Sequence, residues 1–223
     1  CNHMSIYKYM VYRSANIGIF MRANDYYIFV PKGFAHTKAS RLEEFLSAKS
    51  VRVSLAYTRL LGPLMVANNH GIVVASIVDE DELNTLQRST GLKVARLNSR
   101  LTAVGNLVAV NDRAAIVSTL LDGCVDLIKD TLSVKVVQMS IASYHQVGAV
   151  LSCTNKGAVV HPNASDEEIE RVSSTLEVDV EPATVNGGVP FVSSGIVANS
   201  KAVVVGSLTT GPEMVMLGRA FKA

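Results

Sequence analysis

Nucleophilic catalysis would need a cysteine or serine beside a histidine, and metal binding would need His, Cys or carboxylate ligands at short spacing. Phosphate binding would need a glycine-rich loop ending in lysine. The 223-residue chain has three cysteines, Cys1, Cys124 and Cys153, and five histidines, His3, His36, His70, His145 and His161. None of the histidines reads as part of a metal-ligand pattern with another His or Cys, so no metal is expected. Cys124 falls on the apolar face of a helical stretch and Cys153 in mid-strand among apolar neighbours. A reactive thiol needs an accessible, electropositive setting, so both read as core. The string VNGGVP at 185–190 lacks the lysine of a phosphate loop. No catalytic residue and no cofactor is expected.

What the chain has instead of chemistry is repetition. The segment LLGPLMVANNHGIVV, 60–74, has four counterparts of equal length, beginning at Asn16, Ala103, Gln146 and Phe191. The ninth position of each reads Asn24, Asn68, Asn111, Thr154 and Asn199, at spacings of 44, 43, 43 and 45 residues. Six positions earlier stand Gly18, Gly62, Gly105, Gly148 and Ser193. Such a period means a repeat architecture. Glycine admits close backbone approach and Asn tolerates left-handed turns, so both positions read as architectural.

Each window is followed by a helical pattern and then a strand. Helices are expected near 37–48 (Leu42, Phe45 and Leu46 inward) and from about Asp79, with Leu83 and Leu86 inward. A third is expected over roughly 115–132, burying Leu120, Leu121, Cys124, Leu127 and Ile128. The fourth opens on the capping box Ser165 and Glu168 and turns Ile169, Val172 and Leu176 inward. The fifth runs from near Thr210 to Phe221, with Pro212 in its first turn. Closing strands are expected from Val51 and near 92–98, 134–140 and 178–184. The fifth repeat lacks one, while the N-terminus carries a surplus strand at 5–13. A closed ring reconciles the two, with the N-terminal strand completing the last repeat and no sheet edge left open. The expected fold is α/β, a closed pseudo-fivefold ring of strand–strand–helix–strand units, in one domain spanning 1–223.

Composition fits a protein without a membrane span. Apolar residues make up 48% of the chain, and the longest apolar runs are strand-sized, far short of the roughly 20 residues a bilayer needs. No signal peptide is read at the N-terminus. Met4 reads as the natural start, with residues 1–3 an expression scar. Three unpaired cysteines suit a reducing, cytoplasmic compartment. The net charge is +2, small for a protein living on long nucleic-acid tracks. The 19 acidic residues avoid 8–24, 52–78, 93–111, 131–165 and 182–212, which hold 11 of the 21 Lys and Arg. In a ring with helices outside, that split predicts an acidic perimeter and a mildly basic face. Arg59, Arg100 and His145, just ahead of three of the glycines, are expected to share that face. Such a face attracts polyanions, and a composite of protein and nucleic acid suits it.

The windows LLGPLMVANNHGIVV, AVGNLVAVND and TVNGGVPFVSSGIVANS resemble translation initiation factor 6 in its archaeal form, in order and at matching spacing from Met4 to the C-terminus. Eukaryotic members carry a further C-terminal tail that this sequence lacks. The resemblance implies the pentein fold and a non-catalytic, monomeric factor. It implies docking on the intersubunit face of the large (50S) ribosomal subunit, beside ribosomal proteins uL14 and eL24 and the sarcin–ricin loop. There it would block joining of the small (30S) subunit and take part in late subunit maturation; neither DNA nor membrane is an implied partner. It also nominates Arg59, Pro63, Asn106, Val150 and Phe191 as docking residues. Pro63 stands where eukaryotic members have arginine, and Val150 replaces an aromatic. The alternative is a guanidine-modifying enzyme of the same ring type, a deiminase or amidinotransferase. Against it, residues 191–223 contain no cysteine and no histidine, and Glu213 is their only carboxylate.

Overall fold

Fifteen short strands are arranged as five separate three-stranded sheets in the computed structural model, which describes residues 5–223. The expected start at Met4 lies outside the described residues. The first sheet joins β2 (Arg22–Ala23), β3 (Tyr27–Val30) and β4 (Lys49–Arg52). β2 and β3 form an antiparallel hairpin, and β4 returns parallel to β3. The return crosses over through α1 (His36–Leu46), which buries Ala39, Leu42 and Leu46.

The same plan recurs three times. β5 (Met65–Ala67), β6 (Gly71–Val74), α2 (Glu80–Thr90) and β7 (Lys93–Arg96) make the second repeat. The third is β8 (Val108–Val110), β9 (Ala114–Val117), α3 (Val125–Leu132) and β10 (Lys135–Gln138). The fourth is β11 (Leu151–Cys153), β12 (Ala158–Val160), α4 (Asp166–Leu176) and β13 (Val180–Pro182). In the fifth, β14 (Ile196–Ala198) and β15 (Val203–Gly206) are followed by α5 (Gly211–Phe221). Its third strand is β1 (Ile6–Tyr9), which pairs parallel with β15 in the register Ile6–Val203 to Tyr9–Gly206. The N-terminal strand thus completes the last repeat, as the ring required.

The middle strands of the sheets are the most apolar, and all four residues of β6, β9 and β15 are buried. The helices pack on the sheets, α1, α3 and α4 each against their own sheet and a neighbouring one, α2 against its own and α5 against that of the fourth repeat, so the packing links neighbouring repeats. The expected capping box at Ser165–Glu168 is present, and two more stand at Asp79–Glu82 and Thr210–Glu213.

Two local expectations are corrected. The third helix begins only at Val125, and residues 114–117 form the buried strand β9. A short apolar run fits either state by periodicity alone, and pairing with β8 and β10 decides it. Leu120 therefore sits in a connecting turn, 46% exposed. The N-terminal strand ends at Tyr9 and passes into a turn at Tyr12 and Arg13, whose φ values are 48° and 56°. The glycine positions of the windows lie in one-turn helical segments, 17–20, 61–64, 104–107, 147–150 and 192–195.

Candidate docking face

Two rings of repeated residues define the two faces. At one pole, each glycine packs on the carbonyl of its counterpart in the previous repeat. A Cβ on Gly62 would lie 2.0 Å from the Gly18 oxygen, and one on Gly105 1.8 Å from the Gly62 oxygen. No side chain fits there. Ser193, the exception, instead donates its hydroxyl to the oxygens of Gly148 (2.5 Å) and Leu151 (3.0 Å).

At the other pole the asparagines staple neighbours together. Asn68 Oδ1 accepts from the His70 and Gly71 amides, holding its own turn. Its Nδ2 donates to the oxygens of Asn111 (3.1 Å) and Leu132 (2.8 Å), in the next repeat. Asn111 and Asn199 repeat both bonds one repeat further on, and Asn24 bonds the Asn68 oxygen. Beside them Asp25, Asn69, Asp112, Asn155 and Ser200 form a second ring, largely bonded to one another.

Between the poles, Arg22 points along the axis. Its Nε and Nη2 donate to the Gly62 oxygen (3.1 and 2.8 Å) and Nη2 also to the Gly105 oxygen (3.0 Å). Inward-pointing carbonyls make the glycine ring negative, and this guanidinium occupies it. Burial pulls Arg22 down to about 10, so it is cationic at neutral pH. Cys153 shares this axial space and is pushed up to about 12 by burial, against the opposing influence of Arg22. Its thiol stays protonated. Cys124 is buried at the α3 N-cap, also raised by burial.

The glycine pole is the exposed apolar face. Nine of the eleven exposed large apolar residues lie on it; only Tyr26, at the asparagine pole, and Val215, on α5, lie elsewhere. Tyr57, 81% exposed, and Leu60 flank the second glycine segment, Leu101 the third, and Phe191 the fifth. The loops ahead of the first, second, fourth and fifth of these segments are tight turns closed by the bridges Val11–Ser14, Leu55–Thr58, Ile141–Tyr144 and Val185–Val189. Their central residues have φ > 0, as at Ala56 (49°) and Tyr57 (58°). Glutamates of the next helix hold three of them: Glu82 accepts from the Ala56 and Tyr57 amides, Glu168 from Ala142, and Glu213 from Gly187 and Gly188.

Of the expected docking residues, Pro63, Asn106 and Phe191 come together. They line one cleft at the pole, with Ile19, Ala149 and Ser194 around it and Arg22 at its floor. Phe191, 39% exposed, lies edge-on to Tyr144 (5.4 Å) and near His161 (6.1 Å). Arg59 stands further out, its guanidinium 4.8 Å above the Tyr12 ring. Val150 is a correction: it is fully buried, packed with Val147 and Leu151. A helical turn rotates about 100° per residue. The residue directly after each glycine therefore faces out and the second faces in, which puts Ala149 on the face. That rule also locates Ile19 and Ser194, which sequence reading missed; Arg22, on β2, was missed too and no local rule finds it.

The expected single basic face is also corrected. Lys93, Lys135, Lys156 and Lys201 lie on the asparagine side, at strand starts and corner turns, while Arg13, Arg59 and Arg100 lie on the glycine side. Lys201 Nζ caps the end of α1 through the Ser47 oxygen. Sequence could sort these residues onto strands and loops but not onto strand ends.

Among the described residues no cluster of three or more His, Cys, Asp or Glu could hold a metal. The sequence model of the eIF-6 family matches residues 6–220. Translation initiation factor 6 of Cenarchaeum symbiosum is 49% identical over 219 residues, covering 98% of this chain and 99% of that one. The protein of the same name from Thermococcus onnurineus is 36% identical over 223 residues, covering 97% and 98%. Among solved structures, a dimethylarginine dimethylaminohydrolase is 12% identical, covers 74% of this chain and 67% of its own, and has a TM-score of 0.45.

Proposed function

Because the chain belongs to the eIF-6 family of translation initiation factors, we propose that it is a steric anti-association factor. Its glycine face docks on the intersubunit face of the large (50S) ribosomal subunit and so keeps the small (30S) subunit from joining. The single observation carrying this reading is the gathering of exposed apolar side chains on one rigid face. Contiguous apolar surface marks a partner site. A stable interface needs about 800 Å² from each partner, and a molecule with 9684 Å² of accessible surface supplies that from one face.

The action requires no bond to be made or broken. Cys153, the thiol at the ring axis, is held protonated by burial, which suits a binding protein better than a guanidine-modifying enzyme. The partners at that face are ribosomal proteins uL14 and eL24 and the sarcin–ricin loop, the setting is cytoplasmic, and the factor acts as a monomer. Phe191 and Tyr57 supply apolar anchors, Asn106 an amide for partner backbone groups, and Arg59 a cation already oriented by Tyr12.

Sedimentation with purified archaeal subunits tests the reading. The protein is expected to travel with large subunits and not with small ones. Phe191→Glu is expected to weaken that binding at least about tenfold, since a central aromatic anchor is worth about 2 kcal/mol or more, with the melting temperature unchanged. Co-sedimentation with neither subunit would overturn the proposal.

A further inference from the structure

Charge on the glycine face is divided by repeat. The sector around the start of α1 carries Arg13, Lys38 and Arg52, with His36 among them, and no carboxylate among the described residues; Lys32 lies at its border, lining one cleft with Asp79, Asp81 and Glu82 of the second sector. Arg59 leans into the same sector across Tyr12. The other four sectors are acidic. α2 opens with Glu80, Asp81 and Glu82 behind Asp79, and α4 with Asp166, Glu167 and Glu168. α3 has Asp122 and Asp126 beside Arg100, and α5 has Glu213.

The cations of the first sector are tied into one surface. Arg52 donates to the Phe34 oxygen and lies 3.1 Å from His36 Nδ1. Lys38 Nζ reaches the Met10 oxygen at 2.8 Å. Tyr12 joins the two loops, packing on Phe34 at 5.8 Å and on Phe20 at 5.1 Å while Arg59 covers its ring. Arg13 and Lys32 are exposed and make no hydrogen bond or ion pair among the described residues. Four cations, Arg13, Lys38, Arg52 and Arg59, two of them set over the Tyr9 and Tyr12 rings and none in an ion pair among the described residues, are a poor fit to an apolar protein surface. They complement a polyanion bearing planar bases.

We propose that this first-repeat sector is the part of the docking face that grips an RNA phosphodiester backbone, leaving the apolar and acidic remainder for protein. The proposal rests on the ribosome-docking reading and adds an orientation to it. It also explains why the factor, with net charge only +2, can still depend on salt: the cations that matter are concentrated.

The test compares two double reversals of equal charge, Arg13→Glu with Arg59→Glu in the sector, and Lys135→Glu with Lys156→Glu on the opposite face. Affinity for large subunits is measured across a potassium chloride series, and affinity for a short RNA at low salt. Each phosphate that is no longer neutralised should flatten the log–log salt dependence by about 0.7–0.9. The sector variant is therefore expected to flatten it by about 1.4–1.8 and to bind both targets at least tenfold more weakly at low salt. The opposite-face variant should match wild type. A sector variant with the wild-type slope, or with weaker affinity at an unchanged slope, would overturn the proposal; the second result would mean a protein contact. If wild type ignores subunits, the docking reading fails, and the RNA arm alone decides this one.

Discussion

Asn68 satisfies two requirements with one side chain. Its oxygen holds the turn of its own repeat and its amide nitrogen holds the next, so it is both corner and fastener. Glu213 does comparable work at the opposite pole. Partial burial alone would raise its carboxyl, but hydrogen bonds from Thr184 and from the Thr210, Gly187 and Gly188 amides outweigh that and hold it at about 2. A carboxylate whose folded value lies below its ordinary one stabilises the fold above that ordinary value, 4.5 here. The contribution is lost as pH falls through about 2. Glu213→Gln should therefore melt below wild type at pH 7, with the gap closing as pH drops from about 5 toward 2. A gap independent of pH would mean that the carboxylate's charge is not what holds the Gly187–Gly188 loop.

At the scale of elements, the joints between repeats are unequal. β2, β5, β8 and β11 pack in sequence around the axis, and β14 packs on β2; β11 and β14 approach each other less closely. Thr154 takes the asparagine position in the fourth repeat, and its hydroxyl accepts only from Lys156 N in its own turn. Among the described residues no hydrogen bond from either polar ring crosses from the fourth repeat to the fifth. Thr154→Asn should supply one to the Asn199 oxygen, worth about 1 kcal/mol net. That corresponds to about 2–4 °C in melting temperature for a chain of this size, with slower amide exchange in β11 and β14. A lower melting temperature would show that this joint has no room for the amide.

The same scale explains what can be read from sequence. The five windows are legible because ring closure places a glycine wherever two backbones nearly touch and an asparagine wherever two repeats must be stapled. The capping box at Ser165 is legible because it is local. Residues 114–117 mislead because an apolar tetrapeptide carries no period. Val150 misleads because inward and outward positions in a four-residue helical turn depend on a rotation invisible without the turn. Arg22 escapes recognition because its partners, the oxygens of Gly62 and Gly105, lie 40 and 83 residues away.

For the whole molecule, closure produces function by leaving two unlike faces on one rigid body. The pairing of β1 with β15 seals the ring where the chain ends meet. Asn199, Ser200 and Lys201 seal it again at the asparagine pole. Rigidity lets the loops of five repeats meet a partner together with little ordering cost, which the proposed steric blocking would need more than any single contact. The direct measurement is subunit joining followed by light scattering, with purified small and large subunits and increasing amounts of this protein. Joining should fall to zero as the protein saturates the large subunits at one copy each, and Phe191→Glu should restore it. Full joining at saturating protein, with the protein bound to the large subunit, would contradict the account.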